Sequence, residues 1–140
     1  MARDSIEVIR MQGAKAVFFE FVDPLDDKKK KEFKSAAEEA PFMIRTLGLG
    51  SGIAALAAKG GERMVLAKMI CEWLAANDEK GCPHSPWYGS TQTQNCWVQT
   101  VLGRIAASSR NEYHAAQIEA MGYVGWIKKL AQAFCPEGDG

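Results

Sequence analysis

The stretch RNEYHAAQIEAMGYVGWIKKLAQAF, residues 110–134 of a helix expected over about 109–134, decides how the rest of the chain must be read. Tyr113, Ala116, Ala120, Met121, Val124, Ile127, Leu130, Ala131 and Phe134 recur at alternating spacings of three and four. That period puts them on one face of a helix. Glu112, Gln117, Glu119, Lys128, Lys129 and Gln132 fall largely off that face. At 1.5 Å per residue the helix runs roughly 40 Å, too long to bury its apolar side unaided. The earlier segments must therefore pack along it. Ser108 or Ser109 can accept the free amides of the first turn, and Glu112 sits in that turn. Pro136 and Gly138 stop the helix. Gly122 and Gly125 each cost up to about 1 kcal/mol in a helix interior, so a close neighbour is expected there.

Working outward, every other apolar period is also helical. Ile6, Ile9, Gly13, Val17 and Phe21 predict a helix over about 5–22, although VFFEFV alone would pass as a strand. Pro24 breaks the chain, and nearby aspartates can cap a second helix over about 25–47. Phe33, Ala36, Ala37 and Ala40 form its inner stripe, resumed by Met43, Ile44 and Leu47. Pro41 within it predicts either a kink or a new helical start. The run Lys28–Lys31 reads as a solvated face. GLGSGIAALAAKGG then gives a helix end at Gly48, a turn, and a short helix over about 49–59 closed by Gly60 and Gly61. It is not a phosphate loop, since no Lys-Ser or Lys-Thr follows the glycines and no strand precedes them.

A fourth helix over about 62–77 carries Val65, Leu66, Met69, Ile70, Trp73 and Leu74, with Cys71 partly buried among them. Residues 78–92, DEKGCPHSPWYGSTQ, form the one long loop, which Trp87 and Tyr88 pin to the helices or offer to a protein contact. A fifth helix comes next over about 94–107, with Trp97, Val98, Val101, Leu102 and Ile105 inward. The expected fold is all-α: a single-domain compact bundle of five to six helices with a long C-terminal helix.

Composition narrows the function classes. The 17 Lys and Arg balance 17 Asp and Glu, which argues against tight nucleic-acid binding by bulk charge but leaves room for a local basic face. No apolar run is long enough to span a membrane. MARDSIEVIR puts charge where a secretory signal has its apolar core, so a cytoplasmic location is expected. The four scattered cysteines are then free thiols. Catalytic chemistry is scarce. His84 and His114 sit in no catalytic pattern, and Cys82-x-His84 with Cys96 lacks a fourth ligand for zinc. No enzyme, cofactor or metal is expected. The surplus is of basic residues near helix ends: Arg45, Lys59, Arg63, Arg104, Arg110, Lys128 and Lys129. Such cations suit a phosphate backbone, and no aromatic platform for base stacking stands out among them.

Three blocks in order, EFKSAAEEAPFMIRTLGLGSGIAALAAKG, EWLAAND and EYHAAQIEAMGYVGWIKKLAQAF, resemble a known family. It is the small α-helical subunit of the type III-B (Cmr) CRISPR effector complex. The carrying residues are Pro41, Ile44-Arg45, Gly48-Leu49-Gly50, Lys59, Tyr113, Glu119-Ala120, Trp126, Lys128-Lys129 and Ala131. The loop at 78–92 is longer, and the net charge less basic, than the family pattern. The resemblance implies a non-catalytic scaffold that touches the large subunit, the repeated backbone subunits and further copies of itself. It also implies backbone contacts to guide RNA and target RNA, with Arg45, Lys59, Lys128 and Lys129 as the RNA-facing set. The alternatives are the helical small subunit of the related type III-A complex, a self-associating adaptor that never meets RNA, and a minor enzyme using Cys82, His84 or Cys96.

Overall fold

A computed structural model describes residues 6–76, 81–89 and 97–136. The elements are α1 (Ile6–Val17), a π-helical turn (Phe18–Val22), α2 (Asp27–Leu47), α3 (Leu49–Lys59), α4 (Gly61–Ala75), α5 (Trp97–Ala107) and α6 (Arg110–Phe134). The fold is all-α, with no strand among the described residues, and α6 is its longest helix. No helix of the described residues is long and apolar enough to cross a membrane.

The first helix departs from the expected period. Its α-helical part ends at Val17, and the next five residues wind wider, with the Asp23 amide donating to the Phe18 carbonyl at 3.1 Å. The wider turn rotates the side chains beyond it around the axis. Val22 therefore joins Phe18 in facing the core, while Phe21, expected inside, is exposed; Ile6, also expected inside, is exposed at the start of α1. VFFEFV is helical, as preferred over strand. Phe18 meets Phe33 and Phe134 with ring centroids 6.2 and 6.3 Å apart, and Phe19 meets Phe134 edge-on at 5.3 Å. These rings tie the two ends of the chain to α2. Phe134 nevertheless keeps 53% of its surface, a cap on the core rather than part of it.

Asp26 starts α2 by accepting from the Lys29 amide at 2.8 Å. The helix runs unbroken through Pro41 to Leu47, so neither a new start nor a break occurs there. Phe33, Ala36, Ala37, Ala40 and Ile44 are fully buried, but Leu47 is 51% exposed because the chain turns away at Gly48. Gly48 has φ +89°, open to glycine and poor for other residues, and it lets α3 begin at once. A Cβ on Gly52 would lie 3.0 Å from the Ile44 Cα, so α2 and α3 touch backbone to backbone. Side chains of α6 hold the first amides of α3: Leu49 N donates to Gln117 Oε1 at 3.2 Å and Gly50 N to Tyr113 Oη at 3.3 Å. The glycine-rich stretch thus serves helix packing, and these donors are already used.

Ser109 caps α6 through the complete capping box with Glu112. Its inner face is Ala116, Glu119, Ala120, Tyr123, Val124, Ile127 and Ala131. Tyr123 stacks on Trp73 of α4, with centroids 4.8 Å apart and planes 12° from parallel. Gly13 of α1 makes room for that pair, since a Cβ there would lie 2.1 Å from the Trp73 ring. Cys71, expected to be partly buried, is wholly buried, which pushes its thiol pKa far up. In the loop, Trp87 is buried and pins residues 81–89 as expected, whereas Tyr88 is 41% exposed. The Cys82 amide donates to the Trp73 carbonyl at 2.7 Å, and Ser85 Oγ to the Leu74 carbonyl at 2.6 Å, latching the loop to the end of α4.

Candidate nucleic-acid interface

The two elements that present Arg45, Lys128 and Lys129 run antiparallel. At one end Gln132 of α6 donates to Glu38 of α2 at 3.1 Å; at the other, Gln117 of α6 meets Leu49 just beyond α2. Residues seven apart on a helix share a stripe, as do residues four apart. Arg45 therefore lies two turns along the stripe of Glu38, and Lys128 one turn along that of Gln132, both on the same side of the bridging bond. Arg45 is exposed and Lys128 half-buried, and neither pairs with a carboxylate among the described residues. Lys129, one step around α6 from Lys128, is exposed, its Nζ 4.7 Å from the centroid of the Trp126 ring. It also edges an open groove of about 390 Å³ between α1 and α6, lined by Arg10, Gly122, Gly125 and Trp126 among others.

Lys59 stands elsewhere. It pairs with Glu39, which also receives Arg63 Nη2 at 3.0 Å. Hydrogen bonds from Lys59 and then Arg63 hold the Glu39 carboxyl below the usual carboxylate range. Glu38 and Glu39 are neighbours, about 100° apart around α2. One faces α6 and the other faces α3 and α4. The structure thus groups Arg45 with Lys128, turns Lys129 one step around α6 towards the groove with α1, and sets Lys59 on another flank with its charge shared.

Phe42 adds what the sequence did not reveal. It lies one turn before Arg45 and is 62% exposed. Its spacing from the inner stripe, five residues beyond Ala37 and two beyond Ala40, was the signal that it points outward.

A second cluster was missed as well. Glu119, expected off the buried face, is 5% exposed and receives Arg10 Nη2 at 2.7 Å and Arg10 Nε at 3.1 Å. The correction has its cause in α1, which packs against that flank of α6 and brings the arginine with it. Cys82 Sγ donates to the same carboxylate at 3.4 Å. Burial, then the charge of Glu119, pushes the Cys82 thiol up to about 11. Such a thiol is a poor nucleophile at neutral pH. His84 beside it is exposed. Cys96 lies outside the described residues, and among those described no group of three His, Cys, Asp or Glu side chains could hold a metal ion.

A protein-family model described as CRISPR-associated protein (Cas_Cmr5) matches residues 10–134. The chain belongs to this family. It is thus a CRISPR-associated Cmr subunit of type III-B, as the ordered motifs implied, and other subunits of the Cmr complex are its partners. No curated protein matches the chain. Within this Cmr5-family chain the matched stretch opens at Arg10, the cation that fixes α1 to α6, and closes at Phe134, which ends α6. It contains all four expected RNA-facing residues and the loop between α4 and α5.

Proposed function

We propose that the chain is a non-catalytic scaffold subunit of the Cmr effector complex. It sits in the cytoplasm and takes part in antiviral defence. It contacts the guide and target RNA through the phosphate backbone, and it abuts the large subunit, the repeated backbone subunits and further copies of itself. The observation that carries this reading is the placement of Arg45 and Lys128 on one outward face, with no carboxylate partner among the described residues. Exposed cations without local partners are what a polyanion needs, and such contacts position a nucleic acid without reading its sequence. The buried charged cluster Arg10, Glu119 and Cys82 supports a structural role instead, since its atoms satisfy one another.

The test is charge reversal in the assembled complex. Arg45→Glu, Lys128→Glu and Lys129→Glu should each weaken capture of target RNA. Each should also flatten the dependence of log affinity on log salt by a little under about one unit, because a complex with one fewer neutralised phosphate frees fewer counterions on binding. Lys59→Glu should weaken capture less, because Glu39 already shares that charge. Capture unchanged by all four would remove RNA from the account and leave a helical adaptor that meets only protein.

A further inference from the structure

Among the exposed large apolar side chains of the described residues, Phe42 has the greatest exposure, at 62%. The other exposed phenylalanines have company: Phe19 and Phe134 meet edge-on, and Phe21 shares a groove with Val65 and Met69. No ring meets Phe42 among the described residues. Its position is rigid, since α2 is continuous on both sides of it and Met43 and Ile44 beside it are buried. Arg45 comes one turn later, and residues at that spacing are neighbours on a helix surface. Across the seam, α6 presents Lys128, on the stripe of Gln132. The acid on this flank of α2, Glu38, is engaged by Gln132.

We infer that Phe42 is a stacking platform for one unpaired RNA base, set beside the cations that hold the backbone. The inference deepens the RNA-contact reading above and rests on it. A phenyl ring offers only its faces and edges, so it can take a flat partner and cannot select a base by hydrogen bonds. An unpaired base exposes a π-face for such a ring, which a paired and stacked base does not. The surrounding cations suit a polyanion better than an apolar protein segment without acids. Arg45 is placed to meet the phosphate adjoining the stacked base.

The experiment measures target-RNA affinity and subunit stoichiometry in the assembled complex for Phe42→Ala, Phe42→Leu and Phe42→Trp. Because Phe42 is exposed, all three should keep the Tm of the isolated chain. Stacking predicts that Ala and Leu weaken RNA capture between about five-fold and a hundredfold, while Trp retains it. The salt dependence should stay unchanged, since no charge is removed. Unaltered capture with Ala overturns the inference, and so does full capture with Leu, which would mark a generic apolar contact. Loss of the subunit from the complex overturns it too, placing a protein partner on Phe42. If Arg45→Glu weakens capture and Phe42→Ala does not, only the stack fails. If Phe42→Ala and all four charge reversals leave capture unchanged, the RNA-contact reading fails with it.

Discussion

Gly122 and Gly125 stand three residues apart on α6 and have opposite reasons to exist. A Cβ on Gly122 would lie 2.6 Å from the Arg10 side chain, so the bare backbone there lets the arginine lie flat on the helix and reach Glu119. A Cβ on Gly125 would meet nothing within 4 Å. Both carry the same helix penalty, yet only one is explained by packing within the fold. The contrast runs along the whole helix. Its inward flank is closed, with Glu119 paired and Tyr123 stacked; its outward flank leaves Ile118 49% exposed and Lys129 facing solvent. Stability is concentrated on the first side and interaction surface on the second.

The largest effect expected is on the closed side. Arg10→Ala leaves Glu119 a buried carboxylate with only the Cys82 thiol beside it. Breaking a buried pair from one end costs about 3 kcal/mol or more. Glu119→Ala should cost less, because the Arg10 side chain is 17% exposed and can recover some solvation. The double variant should be less destabilised than the sum of the two, the mark of a direct pair. Urea unfolding of the four proteins tests this. Additive losses would mean the pair does not act as a unit.

A pH effect of similar or smaller size comes from the same cluster. The folded-state pKa of Cys82, about 11, lies above its ordinary value near 9, so the folded protein holds the thiol proton more tightly than the unfolded chain. The stability this contributes is whole below pH 9 and is lost as pH rises towards 11. The loss is about 1.4 kcal/mol per pH unit across that window. Cys71 and Cys135, also raised by burial, add slope of the same sign. Cys82→Ser should therefore shrink, without abolishing, the fall in urea midpoint between about pH 8 and pH 10.5. An identical fall in both proteins would show that the thiol is not held protonated by the fold.

Much of this architecture is legible in the sequence because it is locally encoded. The capping box at Ser109 and Glu112, and the boundaries of α3 set by Gly48 and Gly60, depend on residues within a turn of each other. The period along α2 depends on nothing outside α2. The hidden part depends on partners far along the chain. The π turn at Phe18 rotates Phe21 outward because Phe18 must meet Phe33 and Phe134. Glu119 is inside because Arg10, more than a hundred residues away, arrives to neutralise it. Of the four cations, Arg45 and Lys128 share a face only because α2 and α6 are antiparallel, and Lys129 is turned towards the groove with α1. Lys59 is separated from them by one step around α2, between Glu38 and Glu39.

The smallest expected effects return to the two glycines and can break the contrast between them. Gly122→Ala must displace the Arg10 side chain, whose far end is flexible. The helix gain of alanine, up to about 1 kcal/mol, is therefore offset by strain on the ion pair. A net loss of about 1 kcal/mol is expected, and it should vanish in an Arg10→Ala background. Gly125→Ala meets open space, so the isolated chain should gain up to about 1 kcal/mol, read as a higher urea midpoint. Equal losses at both sites would mean that the outward flank of α6 is packed as tightly as the inward one. If Gly125→Ala stabilises the chain alone yet weakens its retention in the Cmr complex, the bare backbone at Gly125 serves a neighbour outside the fold. If retention is unchanged, the neighbour lies elsewhere, and the outward flank is left to the cations and Phe42.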